Sequence, residues 1–179
     1  MDKWGDFKVA VGQFGPALEE VLQRSGDTRC AAAEVAHVDS SLIGKIIKGS
    51  RKPSEPVIKA TAQHYDDGQL YIAAAGEITD GATVPWLDNV DLHRSSVHLK
   101  VLEELEEAEE ALHSAPITKR ADQLTNKDLI KIKAAIMESL EAITALTHYV
   151  SVLCREYCIS YIGAWLEHRA ELRAKKYIN

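Results

Sequence analysis

The chain has 179 residues and a formal net charge of −6, with 46% apolar and 6% aromatic residues. This length allows one ordinary domain or two small ones. The many Ala, Leu, Glu and Lys residues favour a largely helical protein over a β-sandwich. No apolar run approaches the roughly 18 residues that span a bilayer, and the N-terminal segment lacks the apolar centre of a signal peptide. We therefore expect an all-α, cytoplasmic protein with no membrane segment.

The three cysteines agree with that compartment. Cys30, Cys154 and Cys158 are an odd number and do not form the pattern of an extracellular disulfide framework. Cys154 and Cys158 are four residues apart in a helical pattern, and no further pair of zinc ligands lies close by. We predict that they pack in the core, since free cysteines are among the most buried residues.

The chain divides into three zones. Residues 1–76 contain short helical patterns separated by turn signals. Residues 77–90 include Gly81 and Pro85 with several Asp and Thr residues, and are interpreted as a linker. Residues 91–179 carry longer helical patterns and are interpreted as a dimerisation or effector domain.

Capping and helix-ending residues divide the first zone into five short helices. In chain order these signals are Gly26 after the first helix, Thr28 before the second, Asp39 or Ser40 before the third, Gly49 after it, and Ser54 before the fourth. A fifth short helix is predicted over residues 70–75.

The second and third of these helices form a candidate helix-turn-helix. Ala32, Ala33 and Ala36 are small, as needed where one helix braces another that lies in the major groove. Residues 28–60 contain six basic and three acidic residues, so this window has a net charge of +3 in an otherwise acidic chain. The local charge favours binding to double-stranded DNA.

Residues 28–54, TRCAAAEVAHVDSSLIGKIIKGSRKPS, with Phe14, Gly15 and Leu18, closely resemble the Cro/cI-type (XRE) helix-turn-helix family. The resemblance implies a five-helix, lambda-repressor-like DNA-binding domain whose third helix, about residues 40–48, enters the major groove. It also implies a sequence-specific, repressor-like transcriptional regulator of bacterial or phage origin. Such a regulator is expected to act as a homodimer on palindromic DNA.

The same resemblance assigns the DNA contacts. The implied residues are Arg29, Ser40, Ser41, Gly44 and Lys45, near bases or flanking backbone, and Lys48, Arg51 and Lys52, at phosphates. Three departures from the family pattern accompany them, of which the first is Asp27 in place of the usual apolar residue before the second helix. His37 occupies a turn position where Gly is common, and Gly44 places a flexible residue without a side chain inside the recognition helix.

The C-terminal zone is predicted to form a bundle of about three long helices, over residues 91–113, 128–156 and 160–176. The expected inward residues are Val97, Val101, Leu102, Leu105, Ala108 and Leu112 on the first helix, and Ile162, Trp165 and Leu172 on the last. A second copy of the chain could complete the bundle.

A polar stripe marks the long helix of this zone. Glu138, Glu141, Thr144 and His148 are three or four residues apart and share one face. Carboxylates at this spacing can hold a hard cation such as Mg²⁺ together with a facing helix. The facing candidates are Glu103, Glu104 and Glu107.

This arrangement, with the closing EHRAELRAKKYI, is similar to the all-α MazG-like nucleotide pyrophosphohydrolases. The resemblance implies an alternative function, the Mg²⁺-dependent hydrolysis of nucleoside triphosphates. The simpler interpretation is that these glutamates form a solvated helix face, so that the protein is not an enzyme and needs no cofactor. An intermediate interpretation is a MazG-like bundle that has lost its catalytic activity and senses a nucleotide or an effector protein.

Overall fold

The computed structural model describes residues 13–179. Within this range the chain forms eight α-helices and no strand, as predicted. The helices are α1 (Phe14–Ser25), α2 (Arg29–Val35), α3 (Ser40–Ile47), α4 (Glu55–Tyr65), α5 (Gly68–Ile78), α6 (Arg94–Ser114), α7 (Asn126–Glu156) and α8 (Tyr161–Ala174). One short 3₁₀ turn, Ala121–Gln123, precedes α7.

The helix boundaries follow local capping chemistry. The Thr28 hydroxyl accepts a hydrogen bond from the N–H of Ala31 at the start of α2, and Asp39 caps α3. Gly26 ends α1 in the left-handed conformation, with φ 74°. The predicted signals at these positions are confirmed.

The first five helices share one hydrophobic core, in which α1 packs against α3 and α5, and α2 packs against α3 and α4. Phe14, Leu18, Ile43 and Leu70 are completely buried in this core. The inward face of α3 is therefore fixed by the neighbouring helices, and its opposite face is left at the surface.

The chain forms two compact units whose boundaries differ from the zones expected from sequence. Among the described residues, 154–179 group with 13–88, and residues 89–153 form the second unit. The predicted division at residue 90 thus separates α8 from the helices with which it groups. The last residues of α7 belong to the first unit as well.

Contacts from the turn between α4 and α5 hold α8 in the first unit. The Asp66 carboxylate accepts hydrogen bonds from the Ser160 hydroxyl and, at 2.8 Å, from the N–H of Ile162. The rings of Tyr71 and Tyr161 stack with centroids 5.5 Å apart. These interactions join residues that are about ninety positions apart, which is why sequence periodicity did not predict them.

In the second unit, α6 and the greater part of α7 form an antiparallel hairpin. The rings of His98 and Tyr149 lie 5.8 Å apart, and the carboxylates of Glu104 and Glu141 lie within 4.8 Å of each other. Higher residue numbers on α6 therefore pair with lower residue numbers on α7, so the two helices run in opposite directions.

Several expected core positions are wrong. Leu102, Leu105 and Leu112 are 52%, 42% and 56% exposed, because the buried stripe of α6 is narrower and consists of Val97, Val101, Glu104 and Ala108. On α8 the buried residue is Tyr161, whereas Trp165 is exposed and Ile162 and Leu172 are half-buried. Cys154 is buried as predicted, but Cys158 is exposed because it lies beyond the end of α7.

Candidate nucleic-acid interface and carboxylate cluster

A tight turn joins α2 to α3. His37 adopts the left-handed conformation with φ 52°, and its N–H donates to the carbonyl of Glu34 at 3.2 Å. The N–H of Val38 donates to the carbonyl of Ala33 at 2.9 Å. This pair of bonds is the Schellman arrangement, which ends α2 and reverses the chain within a few residues. His37 therefore takes the role that Gly has in related turns.

Asp39 fixes the start of α3. Its Oδ1 accepts a hydrogen bond of 2.8 Å from the N–H of Ser41. The hydroxyl and the N–H of Ser41, together with the charge of Lys45, hold the pKa of Asp39 below its usual value. Asp39 is thus an ionised cap at neutral pH and stabilises the first turn of the helix.

The two faces of α3 differ sharply in character. Ile43, Ile46 and Ile47 are buried against the core. The opposite face carries predicted DNA contacts at helical spacing, of which Ser41, Lys45 and Lys48 are exposed and Ser40 and Gly44 are half-buried. A helix with one anchored apolar face and one free polar face is suited to insertion into a groove.

Gly44 leaves an opening on that free face. A Cβ atom placed on Gly44 would have no heavy atom of a neighbouring element within 4 Å. No packing contact within the described residues therefore requires glycine here. The bare backbone allows another molecule to approach α3 closely at this point.

The loop after α3 extends the basic surface. Gly49 adopts φ 67°, and the N–H of Ser50 donates to the carbonyl of Lys45 at 2.9 Å, which closes the helix. Arg51 and Lys52 follow and are both exposed. Lys48, at the end of α3, and Arg51 and Lys52, in the loop that follows, are thus all exposed.

Arg29 lies at the start of α2 and is already paired within the chain. Its Nη2 lies 2.9 Å from the Glu19 carboxylate on α1. The ion pair is half-exposed and therefore contributes little to stability, but it orients the guanidinium. Sequence reasoning missed Glu19 as the partner, because the two residues belong to different helices.

In the second unit, three carboxylates converge between α6 and α7. Oxygens of Glu104, Glu138 and Glu141 all lie within 4.8 Å of one another. Glu104 is buried, Glu138 is half-buried and Glu141 is exposed. These are three of the five glutamates predicted for an Mg²⁺ site, whereas Glu103 and Glu107 lie outside this group.

The chemistry of Glu104 fits a cation. Its Oε2 is buried without a hydrogen-bond partner, which is costly for an ionised oxygen. Its Oε1 lies 2.7 Å from Lys100 Nζ, which also contacts Glu103. Hydrogen bonds to Glu104 and Glu103 raise the pKa of Lys100 above its usual value. Sequence reasoning missed Lys100, although its spacing of three and four residues from these glutamates is a signal for such pairs.

The pKa of Glu107 reflects the negative charge of its neighbours. Desolvation and the neighbouring carboxylates, Glu104 first and then Glu103, raise the pKa of Glu107, and Glu138 adds to the effect. The side of the hairpin that carries the three carboxylates is therefore strongly electronegative. A divalent cation would relieve this repulsion.

Comparisons with protein-family models, curated proteins and solved structures find no match to this chain. Among the described residues, no helix is both long enough and apolar enough to cross a membrane.

Proposed function

We propose that the protein is a sequence-specific, repressor-like transcriptional regulator that binds double-stranded DNA through α3. The observation that carries this proposal is the α2–turn–α3 pair, whose second helix has a buried isoleucine face and a free face with Ser41, Lys45 and Lys48. Helices α1 to α5 would then form a lambda-repressor-like domain, as the Cro/cI-type resemblance implies.

Charge supports the same assignment. Lys48, Arg51 and Lys52 are exposed at one end of α3, where they would contact phosphates and hold the helix in the groove. Ser41, Gly44 and Lys45 would then face the base edges. Arg29 would contact the DNA backbone when a phosphate replaces Glu19 as the partner of its guanidinium.

A regulator of this kind acts as a homodimer, because a single small domain buries little DNA surface and a twofold axis matches a palindromic operator. The helices beyond residue 90 would supply the dimer contact and receive an effector, either a protein or a nucleotide. No cofactor is needed for DNA binding in this proposal.

Selection of binding sites from random duplex DNA tests the proposal directly. We expect an enriched palindrome, with affinity that falls steeply as salt rises. Lys45→Ala should weaken binding to that site roughly tenfold. Lys133→Ala is the matched control, because Lys133 is an exposed lysine on α7, far along the chain from α3. Absence of any enriched sequence, or equal losses in both variants, would overturn the assignment.

The carboxylate cluster supports a second candidate function, the Mg²⁺-dependent nucleotide pyrophosphohydrolysis of MazG-like enzymes. The supporting observation is the buried, unpartnered Oε2 of Glu104 beside Glu138 and Glu141. These residues would hold the cation, which would supply charge neutralisation at the phosphates of a nucleotide.

Titration of the protein with Mg²⁺ alone, followed by an assay of pyrophosphate release from nucleoside triphosphates, tests this candidate. Glu138→Gln combined with Glu141→Gln should abolish both Mg²⁺ binding and turnover. Glu106→Gln is the matched control, since Glu106 is an exposed glutamate of α6 outside the cluster. Wild-type protein that neither binds Mg²⁺ nor releases pyrophosphate would exclude the enzyme.

A further inference from the structure

The long helix α7 carries a row of exposed apolar residues with a strict seven-residue period. Leu129, Ile136, Ile143 and Val150 are 50%, 55%, 50% and 37% exposed. An exact seven-residue repeat over four positions, which span three heptads, is typical of a helix that packs along another helix. None of the four is buried by the chain's own α6, so the row has no helical partner within its unit.

Helix α6 adds to the same side of the hairpin. At 100° per residue, Leu105 and Leu112 lie on one flank of the buried stripe of α6, whereas Glu104 forms the opposite edge of that stripe and Glu107 lies on the opposite flank. On α7, Ile136 and Ile143 lie on one flank of the buried Ala135 and Ala142, and Glu138 and Glu141 on the other. Because the helices are antiparallel, the two apolar flanks coincide and the two acidic flanks coincide.

The hairpin thus has an acidic face and an apolar face. We define the apolar face by its exposed members, which are Leu102, Leu105, Leu112, Leu129, Ile136, Ile143, Leu146 and Val150. At the register set by His98 with Tyr149 and Glu104 with Glu141, Leu105, which lies next to the buried stripe, is within one helical turn of the level of Ile143. The face is therefore continuous across both helices.

We propose that the apolar face binds the apolar face of a second copy of this chain, so that two hairpins form a four-helix bundle. This inference rests on the proposed function, in which the regulator is a homodimer. It assigns the dimer contact to named residues. A twofold axis places the same face on both sides of the interface, which requires the face to be self-complementary. The Leu, Ile and Val side chains of the face meet that requirement, and exposed Glu109 lies beside Leu105 and Leu112 on the same flank of α6.

The size of the face matches what a stable dimer needs. Eight residues at these exposures leave about 700 Å² of mostly apolar surface on each chain, close to the roughly 800 Å² that each partner contributes to a standard interface. A contiguous apolar patch larger than a few hundred Å² is unusual on a monomer. The acidic face cannot serve instead, since two copies would bring like charges together.

Analytical ultracentrifugation of the full-length chain across a range of concentrations tests the proposal. We expect the wild-type protein to sediment at about 40 kDa, twice the 19.8 kDa of one chain. Ile136→Glu and Ile143→Glu should each raise the dimer dissociation constant on the order of 100-fold, because each places two desolvated charges in the interface. Ile143→Ala should raise it by a smaller factor.

Ile130→Glu is the matched control. Ile130 lies on the same helix and is 69% exposed, but it faces away from the heptad row. This variant should remain dimeric, and far-UV circular dichroism should show unchanged helix content in all four variants. A monomeric wild-type protein, or a dimer that survives Ile136→Glu with Ile143→Glu, would overturn the proposal.

The same samples separate this inference from the proposed function. A dimer that depends on Ile136 and Ile143 but selects no DNA sequence would confirm the interface and refute the regulator. A monomer that selects a single half-site would refute the interface and leave DNA binding intact.

Discussion

Gly15 on α1 lies directly against the backbone of Ile46 on α3. A Cβ atom added to Gly15 would lie 2.3 Å from the carbonyl oxygen of Ile46, far inside van der Waals contact. Only glycine allows α1 to approach α3 this closely. The candidate recognition helix is therefore positioned by a backbone contact that no other residue type can reproduce.

Gly15→Ala should lower the free energy of unfolding by about 1–3 kcal/mol, the usual cost of overpacking a closed contact. The obstacle is backbone, which cannot rotate away as a flexible side chain would. Urea unfolding monitored by circular dichroism measures the change. Gly76→Ala is the control, since a Cβ on Gly76 in α5 meets no atom within 4 Å. Equal effects in the two variants would contradict the close contact.

Gly44→Ala should raise the free energy of unfolding, in contrast to Gly15→Ala. The position is helical, its φ is not in the left-handed region, and a Cβ there meets nothing within 4 Å. Replacing glycine by alanine in an open helical position stabilises a helix by up to about 1 kcal/mol. Thermal unfolding should show a raised Tm. A lowered Tm would mean that Gly44 has a packing role that the open surface does not reveal.

Local features of the fold were predictable, because they depend on residues next to one another. Thr28 and Asp39 cap helices through hydrogen bonds that span two or three positions. Gly26 and Gly49 end helices by adopting positive φ. The basic face of α3 follows from helical spacing alone, once the buried isoleucines are recognised.

Features that depend on distant residues were not predictable. The pairing of α8 with the first unit is made by Asp66 and Ser160, which are 94 positions apart. The exposure of Leu105 could not be predicted either, since an apolar residue beside a buried stripe looks the same in sequence whether its chain or a second chain covers it. Likewise, helical spacing brought Glu138 and Glu141 together but could not choose Glu104 over Glu103.

Asp66→Asn should loosen α8 without unfolding the first five helices. Asn tolerates the φ of 45° at this position but loses the charge that accepts hydrogen bonds from Ser160 and Ile162. Asn offers one acceptor oxygen where Asp offers two, so one of these two hydrogen bonds is lost, which costs about 1 kcal/mol. Hydrogen exchange should therefore quicken in Tyr161–Ala174 and stay unchanged in α1. In the control Asp88→Asn, which alters an exposed aspartate with no such contact, α8 should keep its protection.

Asp128 should make the start of α7 sensitive to acid. Its salt bridge to Lys119 at 2.9 Å, followed by hydrogen bonds from the N–H and hydroxyl of Thr125, holds the pKa of Asp128 well below its usual value. Because the folded pKa is the lower one, the stabilisation is present above the unfolded value of about 3.9. It is lost as the pH falls further toward the folded pKa.

An NMR titration of the Asp128 carboxyl carbon measures this pKa. Lys119→Met should move it upward toward the ordinary aspartate value, since the largest cause of the shift is removed. Lys127→Met, which removes an exposed neighbouring lysine, should leave it in place. An unchanged titration in Lys119→Met would show that the Thr125 hydrogen bonds suffice.

The grouping of residues 154–179 with residues 13–88 has a consequence for the synthesis of the protein. The ribosome must add the 65 residues 89–153 before the last part of the first unit emerges, which takes roughly 3–13 s at ordinary rates of translation. During that interval Tyr71 lacks the ring of Tyr161, against which it stacks in the complete unit. The candidate DNA-binding helices are thus synthesised early, but the unit to which they belong is finished only after residues 154–179 have been added.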